Sequence, residues 1–335
     1  MGKNIVLFSD GTENEGGKKE NTNVYKLFNM MLDRDCSKQI AFYDPGIGTD
    51  WRSKAGSLTG AGIQKNISDL YHFIHTHYRS GDKIFLFGFS RGATTVRSLS
   101  GFIHLFGILP FNNNKLFKKA WKIYEDSNPD ERESRAREFI KKNHTMWAKI
   151  EFLGVWDTVA ALGFPIKFLN KFVNAMPFWK HKYHDLRLSD SVVHGRHALA
   201  IDEKRKSFLP TLWDTKKKDF QSIKQVWFIG VHSDVGGGYP EQGLSDIALQ
   251  WMIDEAVSLG LLVYSENNVT INSDVNGKIH VSRKGFFKIN KAIDRSWNES
   301  THGKLVIHKS VEDRINSSSW NYAPWCKDYK YDVIV

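Results

Sequence analysis

The sequence predicts an α/β fold in which a mostly parallel central sheet carries helices on both faces. Short, continuous apolar segments alternate along the chain with longer stretches whose apolar residues recur at helical spacing. Each apolar segment also ends in polar or small residues, at the edge where an open parallel sheet gathers its ligands.

The strands come first. "NIVLFSDGT" (4–12), "KIFLFGFS" (83–90) and "IEFLGVWDT" (150–158) are apolar without alternation, as strands covered on both faces should be. "QVWFIGVHSD" (225–234) has the same form. Between them, Ile63, Ile67, Leu70 and Ile74 set one apolar stripe on a helix, which Gly81-Asp82 breaks. After Gly92, the residues Val96, Leu99, Phe102, Ile103 and Phe106 repeat the pattern. "LSDIALQWMIDEAVSLG" (244–260) opens with Ser245 as its expected N-cap and closes at Gly260. Residues 110–149 are basic and helical and read as an insertion between core strands. Residues 265–335 read as a small irregular C-terminal extension with short alternating pieces such as "KIHVS" and "KLVIH". The expectation is one domain over 1–335 with its core at about 4–260.

Composition narrows the function classes. Hydrophobic residues at 41% and charged residues at 25% are ordinary for a soluble globular protein. The longest apolar runs fall well short of the roughly 20 residues that cross a bilayer. "MGKNIVLFSD" lacks the tripartite layout of a Sec signal, so cytoplasmic synthesis is expected, and export by a signal-independent route is compatible with it. The net charge of +10 favours polyanions. The lysine runs are short and scattered, and no nucleic-acid module accompanies them, so an anionic membrane surface is the expected partner and nucleic acid is not. Cys36 and Cys326 form neither a disulfide framework nor a metal-ligand spacing, and no metal or cofactor is expected.

"GFSRG" (88–92) carries the chemistry. A serine on a strained strand-to-helix turn needs small residues two before and two after it, and Gly88 and Gly92 supply them. The helix then aims its N-terminal amides at the developing oxyanion, with the N–H of Arg91 as one donor. Gly11, closing the first strand in "FSDGT", offers a second amide, although a plain turn accounts for it equally well. A serine needs a base, and the base needs a carboxylate to orient it. Asp157 and His232 each end a predicted core strand, which places them on the same sheet edge as Ser90. Asp157 also suits a capping role. Asp234 and His308 form a second Asp-then-His order. Asp10, Asp157, His232 and Asp234 would alternatively make a metal-ligand set for a metal-dependent hydrolase, and a non-enzymatic binding protein on the same scaffold is a third reading.

"FSDGT", "YDPGIGT", "GFSRGAT", "GVWDTVAALG", "HALAIDE" and "VHSDVGGGY" followed by "LSDIALQWM" occur in that order. Together they resemble the bacterial α/β-hydrolase family that includes the first class of type VI secretion phospholipase effectors. The resemblance implies an α/β-hydrolase core, a Ser-Asp-His triad and carboxylester hydrolysis, typically of phospholipid acyl chains. By motif position the nucleophile falls on Ser90, the acid on Asp157 and the base on His232. An effector role would bring a secretion-apparatus or immunity partner. "FPIKFLNKFVNAMPFWKHKY" (164–183) interleaves aromatic and aliphatic residues with lysines, which suits either a lid or membrane-docking surface or a segment packed on the core.

Overall fold

The computed structural model describes residues 2–11, 17, 20–31, 37–46, 60–110, 114–159, 187–264, 269–283, 292–317 and 321–335. Cys36 and the segment 164–183 lie outside the described residues. The strands are β1 (Asn4–Ser9), β2 (Gln39–Asp44), β3 (Lys83–Phe89), β4 (Ile150–Trp156), β5 (Val192–Ala200), β6 (Ser222–Phe228), β7 (Leu305–His308) and β8 (Tyr331–Ile334). They form one sheet of 8 strands in the order β2-β1-β3-β4-β5-β6-β7-β8. Every pairing is parallel. The helices are α1 (Asn23–Asn29), α2 (Gly60–His77), α3 (Arg91–Phe106), α4 (Asn114–Tyr124), α5 (Pro129–Asn143), α6 (His232–Gly236), α7 (Gly243–Val257), α8 (Glu299–His302) and α9 (Lys309–Asn316).

The alternation of side chains along each strand divides the core in two. Ile5, Leu7, Ile84 and Leu86 pack with Ile67, Leu70 and Ile74 of α2 and with Val96, Leu99 and Phe102 of α3. Val6, Phe8, Phe85 and Phe87 pack on the other face with Val24 and Leu27 of α1 and with Trp251 and Met252 of α7. Phe8 and Phe87 stack with ring centroids 5.2 Å apart. Each such side chain, taken fully from water, contributes about 1.5–3 kcal/mol. Both faces are therefore dry, which is why β1, β3 and β4 read as unbroken apolar runs.

The insertion between β3 and β4 is the helical pair α4 and α5. Phe117 and Trp121 lie 5.2 and 6.0 Å from Phe102, and Phe139 meets Phe106 edge-on at 5.5 Å. Among the described residues, no helix is long and apolar enough to cross a membrane.

Five expectations need correction. β6 stops at Phe228 rather than running to residue 234, because Gly230 turns the chain at φ +105° and gives its N–H to Asp202. His232 therefore opens α6 instead of ending a strand. Ser245 is not the cap of α7. That position is Gln242, whose carbonyl accepts the Ser245 hydroxyl at 3.0 Å. The "KIHVS" piece forms no strand, since the His280 N–H donates to the Asp234 carboxylate instead of to a ladder. Beyond residue 264 the chain also does more than form an irregular extension: β7 and β8 continue the main sheet. Trp297 and Trp325 pin the region by meeting Trp227 edge-on at 6.0 and 5.1 Å.

Candidate active site

β1 lies between β2 and β3, so the chain reverses its direction of travel across the sheet at that point. The crevice beyond the carboxyl ends of β1 and β3 is where such sheets bind ligands. Ser90 sits there, between β3 and α3, at φ 58° and ψ −119°. A non-glycine residue in that region is strained, and close packing holds it in place. A Cβ on Gly88 would come within 2.6 Å of the Gly92 carbonyl oxygen, and a Cβ on Gly92 within 2.0 Å of the Ser9 carbonyl oxygen. Neither position has room for any side chain. The Ser90 N–H anchors the turn to the Trp156 carbonyl at 3.1 Å.

The ends of β3 and β4 and the start of α6 converge on one hydrogen-bonded row. The Ser90 Oγ lies 2.9 Å from His232 Nε2, and His232 Nδ1 lies 2.6 Å from Asp157 Oδ2. An ionised carboxylate can only accept, so Nδ1 carries the proton and Nε2 presents its lone pair to the serine hydroxyl. The imidazole is wedged between Phe89 at 4.6 Å and the edge-on ring of Phe208 at 4.9 Å. The His232 N–H donates to Glu203 Oε2 at 3.3 Å. Glu203 is itself clasped by Arg205 at 2.9 and 2.8 Å, and the Arg205 guanidinium lies 3.4 Å over Phe208. Asp157 is wholly buried, whereas Ser90 keeps 9% of its surface, so a substrate reaches the row from the serine end.

Asp157 has a positive φ of 39° and points its carboxylate back under β5, where the Ala200 N–H donates to Oδ1 at 3.1 Å. Arg295 grips the same carboxylate with both terminal nitrogens, Nη1 to Oδ1 at 2.6 Å and Nη2 to Oδ2 at 2.9 Å. Burial alone would raise the Asp157 carboxyl, but the Arg295 charge and the hydrogen bonds from His232 and Arg295 outweigh it. They hold the group well below the usual carboxylate range.

The remaining candidates are elsewhere engaged. Asp10 closes β1, with Oδ2 accepting from Thr22 Oγ1 at 2.5 Å and from the Tyr43 hydroxyl at 2.9 Å. Its Oδ1 takes the Gly11 N–H at 2.7 Å, so this amide turns to its own neighbour and must leave that contact before it can meet an oxyanion. Arg91 opens α3 at its first position, next to the Ser90 hydroxyl. Asp234 and His308 do not meet. The Asp234 carboxylate accepts from the Val231 N–H and pairs with His280 Nδ1 at 2.6 Å. His308 caps α9 by accepting the Ser310 N–H at 3.2 Å and stacks on Phe228 at 4.9 Å. Burial pushes the His308 imidazole down to about 4. Asp157 and His232 thus pair with each other while Asp10 and Asp234 have other partners, and no group of three or more metal-ligating side chains gathers among the described residues.

Sequence reasoning missed Arg295 and gave Glu203 no role. Glu203 closes the "HALAIDE" motif, so a signal for it was present. Arg295 had none, because it is 138 residues from the carboxylate it grips.

A parallel sheet bearing a serine on a strained strand-to-helix turn, joined to a buried histidine and aspartate, is the arrangement of an α/β-hydrolase. The chain belongs to the family described as the type VI secretion system phospholipase effector Tle1-like catalytic domain, whose match covers residues 3–255. It is 33% identical over 231 residues to the uncharacterized protein YEL023C of Saccharomyces cerevisiae, covering 62% of this chain. The chain spans 32% of the length of that relative. Among solved structures, an uncharacterized protein from Pseudomonas aeruginosa aligns at 18% identity and a TM-score of 0.48, over 81% of this chain and 48% of that one. The Tle1 effector bound to the VgrG spike of the type 6 secretion system aligns at 18% identity and a TM-score of 0.35, over 71% of this chain and 51% of that one.

Proposed function

We propose that this chain is a serine carboxylester hydrolase that removes acyl chains from membrane phospholipids. The observation that carries the reading is the row from Ser90 Oγ through the His232 ring to Asp157, with spacings of 2.9 and 2.6 Å. Ser90 Oγ attacks the ester carbonyl as His232 Nε2 takes its proton, and the carbonyl oxygen becomes an oxyanion facing the Arg91 N–H at the start of α3. The intermediate collapses, His232 gives the proton to the departing alcohol, and the acyl group stays on Ser90. Water then attacks the acyl-enzyme with His232 again as base, and the fatty acid leaves as Ser90 regains its proton. Asp157 stays ionised throughout, holding Nδ1–H and balancing the imidazolium.

Family membership and the net charge of +10 support a lipid substrate on an anionic surface. The apolar and lysine-rich segment 164–183 is the proposed contact with the bilayer, each nearby lysine adding about 1 kcal/mol. Export as an antibacterial effector, with a secretion-apparatus and an immunity partner, belongs to the same proposal. Its support is the family. The test is incubation with vesicles of phosphatidylglycerol, phosphatidylethanolamine or phosphatidylcholine, followed by mass spectrometry of fatty acid and lysolipid. Release by the wild type and none by Ser90→Ala is expected. Turnover of a soluble ester with no release from any vesicle would remove the phospholipid assignment.

A further inference from the structure

Arg295 lies in the segment 292–298, beyond residue 255 where the family match ends. Its fork on Asp157 is reinforced from behind, since Nη1 also donates to the Ala200 carbonyl at 2.7 Å and Nη2 to the Phe208 carbonyl at 2.6 Å. Only 2% of the residue is exposed. Just after it, Trp297 packs against Trp227 and donates its Nε1–H to the Gly303 carbonyl at 2.7 Å, which fixes the segment to the end of the sheet. We propose that Arg295 is a positioning residue of the active site, and that the C-terminal segment carrying it is part of the catalytic unit. This inference rests on the serine-hydrolase reading above.

The argument is one of geometry first. A carboxylate turns freely about its last bond, and Oδ2 serves His232 Nδ1 only in one orientation. A planar guanidinium gripping both oxygens fixes that plane, which a point charge cannot do. The Phe208 carbonyl held by Arg295 belongs to the residue whose ring packs on His232, so one side chain fixes the acid and the wall of the base together.

Charge gives the second argument. Asp157 is faced by His232 from α6, by Arg295, by the Ala200 N–H and by His197 of β5, whose Nε2 accepts the Thr158 N–H at 3.1 Å. Burial pushes the His197 imidazole down to about 3, with the Arg97 charge adding to it, so His197 stays neutral. Arg295 is thus the permanent cation bonded to Asp157 among the described residues. It partly neutralises the buried carboxylate whose Oδ2 serves His232 Nδ1.

The test is kcat and KM for a short soluble ester across pH 4–9, in the wild type, Arg295→Lys and Arg295→Met, with circular dichroism to follow folding. Arg295→Lys keeps the charge and loses the fork. Its kcat should fall about tenfold with KM nearly unchanged. Arg295→Met loses both, so kcat should fall about 100-fold. A Lys variant equal to the wild type overturns the positioning role, and this arm decides alone if the Met variant does not fold. A folded Met variant no slower than Arg295→Lys overturns the charge argument and leaves the fork as the whole of the Arg295 role. A wild type that turns over no ester at all instead sinks the serine-hydrolase reading.

Discussion

Ser90 and His232 are separated by 142 residues along the chain and by 2.9 Å between their side chains. Ser90 occupies a strained turn, and His232 begins a short helix that follows a turn at Gly230. Their meeting depends on how closely α3 and α6 seat against the ends of β1 and β3, which makes the small residues there as consequential as the reactive ones.

Gly92 tests that dependence. A methyl group at this position would lie 2.0 Å from the Ser9 carbonyl oxygen, which is backbone and cannot swing aside. Gly92→Ala should destabilise the fold by about 3 kcal/mol, read as a lower urea midpoint. Ser90 should lose reactivity in whatever fraction remains folded.

The two Asp–His orders separate by substitution. Asp157→Asn removes the anion that sets the His232 tautomer, and ester turnover should fall about 10⁴-fold. His308→Ala removes a helix cap, costing about 1 kcal/mol of stability, and should leave turnover within a few fold. Steady-state assays of both variants check this, and the reverse pattern would move the base to His308.

Asp10 should leave a mark on the pH dependence of stability. Burial, with the Asp44 charge adding to it, outweighs the hydrogen bonds from Thr22, Gly11 and Tyr43 and raises the carboxyl from 3.8 to about 7. The folded state therefore binds this proton more tightly than the unfolded state. Its contribution is complete below about pH 4 and is lost as pH rises through about 7. Asp157 acts in the opposite sense, contributing above the ordinary carboxyl value and failing as pH falls. Between about pH 4 and 7, wild-type stability should therefore fall relative to Asp10→Asn by about 1.4 kcal/mol per pH unit. Urea unfolding at a series of pH values measures that difference, and parallel curves would show Asp10 ionised throughout.

Much of the sheet was legible because dry strands leave an unbroken apolar imprint, as in "IVLF" and "IFLFGF". β5 escaped notice because His194, Arg196 and His197 interrupt its apolar run. Arg196 pairs with Glu255 at 2.5 Å and His197 Nε2 accepts the Thr158 N–H, partners that no local pattern reveals. β2 was missed for another reason. It is an edge strand whose middle residues are only partly buried, so its pattern is mixed.

At the site, Ser90 could be found from its two glycines because a strained turn dictates its immediate neighbours. Asp157 and His232 could be ranked by strand order, although His232 was placed at a strand end and lies on α6. The fork from Arg295 and the Arg205–Phe208–His232 stack depend on contacts between distant segments. Spacing along the chain carries no trace of such contacts.

The most direct measurement of the central claim is labelling of the intact folded protein with a fluorophosphonate, followed by peptide mapping. The account predicts one adduct, on Ser90, with labelling abolished in Ser90→Ala and reduced at least about 10³-fold in His232→Ala. A folded wild-type protein that takes no label, or takes it on another residue, would contradict it.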